Sequence, residues 1–396
     1  FKYFENYKKI SFGLSFVFLF SLFDWLKGNI LWGFPWTPIS SLWVFDSNVL
    51  YPFSIVGVWG YCLVTYSLII SIFYFFFDVK KAVIFALPFF LVFVILPKLL
   101  MTEEKVVDSL QIRLIQPNIK QEDKWEKTKF QKNYIKITDL INSNKYKGLD
   151  LIVLPETAIS FDITELLKEP HRNNFRIEDI KNVILGAVRI ENKNSQINLY
   201  NSMYLIKKNK LFFHDKAKLV PFGEYIPFKK KLGLRKLSAG STDFSVGQEI
   251  NILKLSDKIN ILPLICYEVI FPKMSKLTRG KYNLIVNITN DAWYRKSSGP
   301  HQHFAHSRIR AVMEGVSLIR VANTGISSII DAKGNILKKI DLGSEGIIDY
   351  KLPIKETKTL YSVYGESIFY LIMLTLLFLI CIPFFYVKLK KKFYYE

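Results

Sequence analysis

The segment ILPLICYEVIF, residues 261–271, ends an apolar run with the thiol of Cys266 and follows it with Tyr267 and Glu268. A cysteine acts as a nucleophile when a base takes its proton and a cation or N–H donors hold the oxyanion that its attack creates. A glutamate beside the thiol is seldom buried without a partner. The segment therefore indicates a reactive thiol, provided that other segments supply the base and the cation. The alternative is an inert buried cysteine.

Cys266 has no expected disulfide partner. The chain contains three cysteines, and the other two, Cys62 and Cys381, fall within apolar runs that are predicted to lie in a membrane. An unpaired cysteine in a domain that faces an oxidising compartment points to a function for its thiol.

Two other segments offer a base and a cation. Glu156 follows the apolar run LDLIVLP, at the end of a predicted buried strand, where α/β proteins collect their reactive groups. The turn-rich segment HDKAKLVPFGEYIP, residues 214–227, offers Lys216, Lys218 and Glu224. Taken alone, Glu156 is equally well explained as an ordinary exposed glutamate, and either lysine is better explained as a solvated surface charge.

The segment HQHFAH suggests a metal site, because it contains three histidines. On a helix only His303 and His306 share a face, and no carboxylate completes a ligand set at the spacing of zinc sites. We therefore predict no metal, and we expect His301, His303 and His306 to be helix-terminus and packing residues. The nearby segment NITNDAWY is expected to shape a pocket or cap a turn through Asn290, Asp291 and Trp293.

The elements that must position these residues lie between about residues 101 and 360. Apolar runs of strand length alternate there with helical patterns, and several runs are nearly continuous in Val, Ile and Leu, as expected of strands covered on both faces. The predicted strands are 109–118, 149–156, 182–188, 259–266, 283–289 and 317–323, and the predicted helices are 129–143 and 300–315. Strands that alternate with helices predict an α/β domain with layered sheets.

The rest of the chain indicates a membrane protein. Half of the 396 residues are hydrophobic although the formal charge is +20, which suggests that apolar and charged residues are segregated along the chain. A helix that crosses a bilayer needs about 20 apolar residues. Four runs approach or exceed this length: 10–23, which Asp24 is expected to end, 51–77, 82–97 and 367–387.

The short flanks of these runs predict an orientation. Lysines precede the first run, join the second to the third at Lys80 and Lys81, and follow the fourth in KLKKK. Short lysine-rich flanks stay in the cytoplasm, whereas long domains are translocated largely regardless of their charge. The α/β domain is therefore predicted outside the cytoplasm. Because its own lysines are scattered, we do not expect it to bind nucleic acid.

The three candidate segments also match a known order. Glu in PET, Lys in DKAKLVPFGE and Cys in ICYE resemble the Glu-Lys-Cys triad of the nitrilase, or carbon–nitrogen hydrolase, superfamily. Further segments are similar to the apolipoprotein N-acyltransferase family, the membrane members of that superfamily. They are SLFDWLKGNILWGFPW, LIQPNI, LPETA, KLVPFGEYIP, NITNDAW, GPHQHFAHSRIRAVMEG and RVANTGISSIID.

The resemblance implies roles for individual residues. Glu156 falls on the general base, Lys216 on the lysine of the triad and Cys266 on the nucleophile. Lys218 stands where a histidine is more usual in the family. Supporting or substrate-binding roles are implied for Trp125, Glu224, Tyr267 and Glu268. The resemblance implies no metal and no other cofactor.

The resemblance also implies an architecture: a nitrilase-like αββα sandwich inserted between transmembrane helices. Residues 1–100 would form the transmembrane helices and an interfacial loop, as an N-terminally incomplete bundle. Residues 101–360 would form the extracytoplasmic catalytic domain, 366–387 a last transmembrane helix and 388–396 a cytoplasmic basic tail. The implied location is the bacterial cytoplasmic (inner) membrane, crossed several times, with the catalytic domain on the periplasmic side.

The implied activity is N-acylation of lipoproteins. An acyl chain would move from a membrane phospholipid to a cysteine thioester, and from there to the N-terminal amine of an apolipoprotein whose first cysteine carries a diacylglyceryl group. Two alternatives remain. One is a membrane-anchored amidase of the nitrilase type that acts on a soluble amide. The other is a non-catalytic membrane receptor or transporter subunit with an α/β binding domain.

Overall fold

The computed structural model describes the chain except for residues 1, 100–104, 144–147, 160–162, 165–167, 169–180, 194–195, 228–242, 249, 279–280 and 396. The chain forms two compact units. A helical unit comprises Phe1–Glu103 and Lys358–Glu396, and an α/β unit comprises Glu104–Thr357.

The helical unit consists of long apolar helices. Its helices are α1 (Lys2–Asn29), α2 (Pro52–Phe75), α3 (Val79–Phe90), a short helix Leu360–Tyr364 and a last helix Ser367–Tyr395. A π-helical turn, Leu91–Ile95, and a further helical turn, Leu96–Leu99, extend α3. A 3-10 helix, Ile39–Phe45, separates α1 from α2 along the chain.

All four predicted apolar runs lie in these helices. Within the described residues, three stretches are long and apolar enough to cross a membrane: Ile10–Asn29, Pro52–Phe75 and Val79–Leu99. The last helix contributes a shorter apolar stretch, Ser367–Ile382. That these helices cross a bilayer, and in which direction, stays a prediction.

The first candidate span extends past Asp24, where the predicted apolar run ended, to Asn29. The buried carboxylate of Asp24 accepts hydrogen bonds from the hydroxyl of Tyr66 at 2.9 Å and the backbone N–H of Ile39 at 3.2 Å. The ammonium of Lys27 lies 2.9 Å from the other carboxylate oxygen. Because the charge is paired and hydrogen-bonded, burying it costs little, and α1 continues to Asn29.

Among its described residues, the α/β unit contains two six-stranded sheets and two principal helices. The strands are β1 (Lys105–Gln116), β2 (Leu151–Val153), β3 (Asn182–Lys193), β4 (Gln196–Lys207), β5 (Lys210–Asp215), β6 (Leu253–Lys254), β7 (Asn260–Ile265), β8 (Leu284–Thr289), β9 (Ser317–Ala322), β10 (Ser327–Ile330), β11 (Ile336–Ile340) and β12 (Gly346–Glu356). The helices are α4 (Phe130–Asn142) and α5 (Gly299–Glu314).

Both sheets have three parallel strands at their centre. These are β1, β2 and β3 in the first sheet and β7, β8 and β9 in the second. The full orders are β12-β1-β2-β3-β4-β5 and β11-β10-β9-β8-β7-β6. Each sheet therefore has one antiparallel strand on one side of its centre and two on the other, so one strand pattern occurs twice.

The two sheets pack face to face through apolar side chains. Their shared core includes Leu114 and Val153 from the first sheet and Val286 and Ile319 from the second. On the outer face of the first sheet α4 packs Ile137 into a second cluster, and α5 lies against β9 and β10 of the other sheet. The layer order of helix, sheet, sheet and helix confirms the predicted α/β sandwich.

Candidate active site

Cys266 is the first residue after β7, at the edge where parallel strands of an α/β sheet end. Its φ angle is +51°, in the left-handed region that a non-glycine residue adopts at a cost. The residue is 7% exposed. The strand and the sharp turn after it therefore hold the thiol in one direction at the end of the sheet.

Two side chains bind the backbone carbonyl of Cys266. Nε2 of His303 lies 3.0 Å from this oxygen, and Nδ2 of Asn287 donates to it at 3.4 Å. His303 comes from α5 and Asn287 from β8. The turn that carries the thiol is thus attached to the neighbouring strand and to the covering helix.

Glu156 lies in the turn after β2 and is almost fully buried. Gly186 on β3 passes so close that a Cβ there would lie 2.6 Å from the Cα of Glu156 and 2.4 Å from the nitrogen of Thr157. Nδ2 of Asn201 donates to Oε1 of Glu156 at 2.7 Å. This carboxylate is therefore fixed from both its backbone and its side chain.

Lys216 follows β5 and is 1% exposed. Its Nζ lies 2.9 Å from Oε1 of Glu224 and 3.6 Å from Oε1 of Glu156. Burial lowers the pKa of Lys216, but the charges of Glu224 and Glu156 outweigh it and hold that pKa well above its ordinary value. The site thus contains a permanent ammonium between two carboxylates.

Lys218, the other lysine of the same segment, is placed differently. Its side chain is exposed, and its ammonium lies over the ring of Phe271, 5.2 Å from the ring centre. Of the two lysines that the sequence offered as the cation, only Lys216 is buried beside Glu156.

The pKa of the Cys266 thiol depends on its burial and on these charges. Burial and the charges of Glu156 and Asp291 together raise its pKa to about 12, although the charge of Lys216 opposes this rise. At neutral pH the resting side chain is therefore a thiol and not a thiolate. Of the two carboxylates that raise this pKa, Glu156 has the larger influence on the thiol.

The structure adds a second buried cation that the sequence analysis missed. Nζ of Lys124 donates to the backbone carbonyl of Glu156 at 2.9 Å, and burial lowers the pKa of Lys124 to about 8. The charges of Glu156 and Cys266 oppose this lowering of the Lys124 pKa in part. Its position in QEDKWEK, directly before Trp125, was the available signal.

Glu224 and Glu268, both predicted as supporting residues, bind backbone and side-chain donors of the site. Glu224 accepts from the N–H of Val220 at 2.8 Å, in addition to its contact with Lys216. Glu268 is fully buried, and its Oε2 accepts from the N–H of Ile265 at 2.8 Å. Each carboxylate therefore fixes a segment that carries a site residue.

Tyr267 and Trp125 complete the predicted set. Tyr267 is buried, with its ring edge-on to that of Phe271 at 4.8 Å between centres. Trp125 is 41% exposed and lines an open groove of about 670 Å³ together with the half-exposed Trp293. The charged residues of this groove are Lys120, Glu122, Arg295 and Lys296.

The structure also brings together Cys266, Asp291 and His303, whose potential metal-binding atoms lie within 4.8 Å of one another. From the sequence, Asp291 was expected to shape a pocket or cap a turn, and His303 to be a helix-terminus or packing residue. Nδ1 of His303 is hydrogen-bonded to Oδ1 of Asp291 at 2.8 Å, and Nε2 to the carbonyl of Cys266. A metal ion could bind this histidine only by displacing one of these bonds.

The arrangement suits acyl transfer through a covalent intermediate. It offers a thiol on a rigid turn as a nucleophile, a carboxylate as a base, and an ammonium as a charge for a developing oxyanion. Comparison with known proteins identifies the family of the chain. The carbon-nitrogen hydrolase family matches residues 111–361 of the chain.

Relatives match over most of the chain. The apolipoprotein N-acyltransferase of Rickettsia prowazekii is 34% identical over 380 residues, which cover 93% of this chain and 75% of the relative. That of Rickettsia typhi is 35% identical and covers 89% and 73%. That of Rhodopseudomonas palustris is 29% identical and covers 89% and 70%. The chain belongs to the carbon–nitrogen hydrolase family and, within it, to the apolipoprotein N-acyltransferases.

Proposed function

We propose that this protein N-acylates lipoproteins, by moving an acyl chain from a membrane phospholipid to the N-terminal amine of a diacylglyceryl-cysteine apolipoprotein through a thioester on Cys266. The observation that supports the proposal best is the buried ammonium of Lys216, 3.6 Å from Glu156, in the electrostatic neighbourhood of a thiol held on a strained turn. Glu156, Lys216 and Cys266 form the proposed triad.

In the first half-reaction, Glu156 takes the proton of the Cys266 thiol as the sulfur attacks the ester carbonyl of the phospholipid. An S–C bond forms, and the carbonyl oxygen becomes an oxyanion beside Lys216 and the backbone N–H of Tyr267. The tetrahedral intermediate collapses, the ester C–O bond breaks, and Glu156 returns the proton to the leaving glycerol oxygen. The lysophospholipid departs and a thioester remains.

In the second half-reaction, the neutral N-terminal amine of the apolipoprotein attacks the thioester carbonyl. Glu156 takes a proton from the amine as the N–C bond forms, and the same donors hold the oxyanion. The C–S bond breaks, the thiolate of Cys266 receives the proton from Glu156, and the amide leaves. The two steps make a ping-pong reaction in which the cysteine is regenerated.

The raised pKa of Cys266 fits this scheme. A thiolate present at all times would not need a base, whereas a thiol with a pKa of about 12 attacks only when the proton leaves during the reaction. Asn201, which donates to Oε1 of Glu156 at 2.7 Å, and Lys216, 3.6 Å away, hold this carboxylate in place to receive the proton. In this scheme Glu224 keeps Lys216 charged, and Glu268 orders the turn of the nucleophile. Tyr267 and Trp125 contact the substrates.

The substrates carry acyl chains, so the proposed location is the membrane. Each methylene buried in lipid contributes about 0.8 kcal/mol, which keeps both donor and acceptor in the bilayer. We place the helices of residues 1–100 and 366–387 across the bacterial cytoplasmic (inner) membrane. Residues 101–360 then lie on the periplasmic side and the tail 388–396 in the cytoplasm. The apolar helices and the lysine-rich flanks support this topology.

Mass spectrometry of the Cys266 peptide tests the proposal. The full chain in detergent, incubated with a phospholipid of defined chains, should gain one acyl mass on Cys266 and release lysophospholipid. A diacylated lipopeptide added afterwards should gain that acyl mass while Cys266 loses it. Cys381→Ser, which removes another thiol, is the matched control and should react normally.

The alternatives give other results. A nitrilase-type amidase would hydrolyse a soluble amide and take no acyl group from phospholipid. A receptor would do neither. An acyl mass that persists on a Cys266→Ala protein would contradict the assignment of the nucleophile.

A further inference from the structure

We propose that His303 is a positioning residue which, with Asp291 and Arg320, aims a backbone N–H at the oxyanion by holding the carbonyl of Cys266. This inference rests on the proposed acyl transfer at Cys266. It gives a role to the buried polar network of Asn287, Asp291, His303 and Arg320, which lies outside the proposed triad.

Two side chains of this network hold the carbonyl oxygen of Cys266. Nε2 of His303 lies 3.0 Å from the carbonyl oxygen of Cys266, and Nδ2 of Asn287 donates to it at 3.4 Å. Because a carbonyl oxygen can only accept hydrogen bonds, Nε2 of His303 carries a hydrogen. The shorter of the two bonds is thus an imidazole N–H donated to the peptide that follows the nucleophile.

Arg320 fixes both donors. Its Nη1 donates to Oδ1 of Asn287 at 2.6 Å, and its Nη2 donates to Oδ2 of Asp291 at 2.7 Å. The other oxygen of Asp291 is hydrogen-bonded to Nδ1 of His303 at 2.8 Å. Asn287, Asp291, His303 and Arg320 are all completely buried. One guanidinium therefore sets the orientation of both groups that hold the carbonyl of Cys266.

Holding the carbonyl of Cys266 also fixes the direction of the N–H of Tyr267, because both groups belong to one peptide bond. A trans peptide is planar, so the carbonyl of Cys266 and the N–H of Tyr267 point in opposite directions. When the carbonyl is drawn into the interior toward His303 and Asn287, the N–H of Tyr267 is directed away from them. This N–H is the backbone donor of the proposed oxyanion site. The contacts to the carbonyl of Cys266 therefore set the direction of the N–H of Tyr267.

The backbone conformation of Cys266 requires contacts that hold its carbonyl. A φ of +51° is unfavourable for a residue with a side chain, and such conformations persist only where surrounding contacts hold them. Without the bond from His303 the peptide plane can rotate toward a relaxed geometry, and the donor leaves the oxyanion. Loss of one oxyanion donor typically slows acyl transfer about 10²- to 10³-fold.

Two reactions of the same sulfur separate this role from a merely structural one. p-Nitrophenyl hexanoate acylates a thiol through an oxyanion and releases p-nitrophenol in a burst, since the S–C bond forms and the ester C–O bond breaks. Iodoacetamide alkylates the thiol by displacing iodide from a saturated carbon, so no oxyanion forms. Both rates are measured on Cys266 of the full chain in detergent.

His303→Leu should slow the p-nitrophenol burst about 10²-fold while changing alkylation less than about threefold, because only acylation uses the oxyanion donor. His303→Gln, which can place an amide N–H near the position of Nε2, should restore most of the burst rate. His306→Leu is the matched control. It removes a second buried histidine from α5 and should leave the ratio of the two rates unchanged.

Equal losses in acylation and alkylation would show general disorder at the nucleophile and overturn the inference, as would an unchanged burst in His303→Leu. The ester probe keeps the test separate from the proposed function. A wild-type protein that gives the burst but takes no acyl mass from phospholipid contradicts the proposed function and still tests His303. A wild-type protein that gives no burst overturns the role of His303 as well.

Discussion

Oε1 of Glu268 accepts a hydrogen bond from the backbone N–H of Ala217 at 2.6 Å. Ala217 directly follows Lys216, and Glu268 comes two residues after Cys266. Its other oxygen accepts from the N–H of Ile265 at 2.8 Å. One buried carboxylate therefore joins the segment that carries the cation to the strand end that carries the thiol.

Glu268→Gln should disturb both segments. Burial raises the pKa of Glu268, but the imidazole of His214, 3.5 Å away, and the N–H of Ile265 outweigh it and hold the pKa below its ordinary value. An amide NH₂ in place of one oxygen would face a donor, at a cost of about 2–3 kcal/mol. Thermal unfolding in detergent should show a lower Tm, and acylation of Cys266 should slow.

Glu356→Gln, an exposed glutamate at the end of β12, is the control for loss of a carboxylate and should leave the Tm unchanged. A Glu268→Gln protein with wild-type Tm and acylation rate would show that this carboxylate does not join the two segments.

The alkylation rate of Cys266 should reveal its raised pKa. With a pKa of about 12, the rate with iodoacetamide should keep rising above about pH 10, where an ordinary thiol with a pKa of about 8.5 approaches its plateau. A plateau near about pH 10 would show that the pKa of this thiol is not raised by its surroundings. The modified cysteine is identified by mass spectrometry of the Cys266 peptide.

Substitutions of the two charged neighbours should shift this rate in opposite directions. Glu156→Gln removes a charge that raises the pKa of Cys266 and should speed alkylation at pH 9 about tenfold, the effect of one pKa unit, although it abolishes acyl transfer. Lys216→Met removes a charge that lowers this pKa and should slow alkylation. Shifts of equal sign would contradict the proposed electrostatics.

Asp291 should contribute a pH-dependent part of the stability of the α/β unit. Burial raises its pKa, but the charges of Arg320 and His303 outweigh it and lower the pKa from 3.8 to about 2. Because the unfolded chain takes up this proton first, the contribution is complete above about pH 4 and is lost as the pH falls toward 2. It amounts to about 2 kcal/mol.

Asp291→Asn should therefore lower the Tm at pH 7 and make the Tm less dependent on pH between about 4 and 2. The comparison is made by thermal unfolding in detergent across this range. An equally steep fall of the Tm in the variant would assign the acid sensitivity to other carboxylates.

Gly186 should tolerate no larger residue. A Cβ at this position would lie 2.4 Å from the backbone nitrogen of Thr157, and backbone atoms cannot move aside as a flexible side chain can. Gly186→Ala should lower stability by about 1–3 kcal/mol and displace Glu156, so acylation slows as well. Gly346→Ala, where the nearest atoms lie 3.7 Å or farther from the added carbon, is the matched control. Equal Tm values in the two variants would contradict this close approach.

The proposed topology is tested with reporter fusions. A reporter after Lys392 should be cytoplasmic, and one inserted into the exposed turn at Lys208 and Asn209 should be external. The reverse pattern would place the triad on the cytoplasmic face.

The central strands were predictable from sequence because both of their faces are buried. β7, β8 and β9 are almost wholly apolar, and each lies within a predicted run. The antiparallel strands escaped prediction because exposed and polar residues interrupt them, as in KLFFHD of β5. β4 carries Asn201, which binds Glu156, so a missed strand concealed a member of the site.

The segments of the site were also recognisable, but the network behind Cys266 was not. Asp291 and His303 are 12 residues apart in sequence and individually look like a turn residue and a helix residue. The usable signal was Arg320, a charge in the middle of the apolar run SLIRVA, since a buried guanidinium requires anionic or polar partners. Which partners these are depends on how the strands are ordered.

The protonated, enclosed state of Cys266 has a consequence for the durability of the enzyme. Oxidation to sulfenic acid and beyond follows thiolate character and access to solvent. With a pKa of about 12 and 7% exposure, Cys266 shows little of either. In the proposed scheme, the surroundings that make the sulfur depend on Glu156 for attack therefore also shield it from peroxide between turnovers.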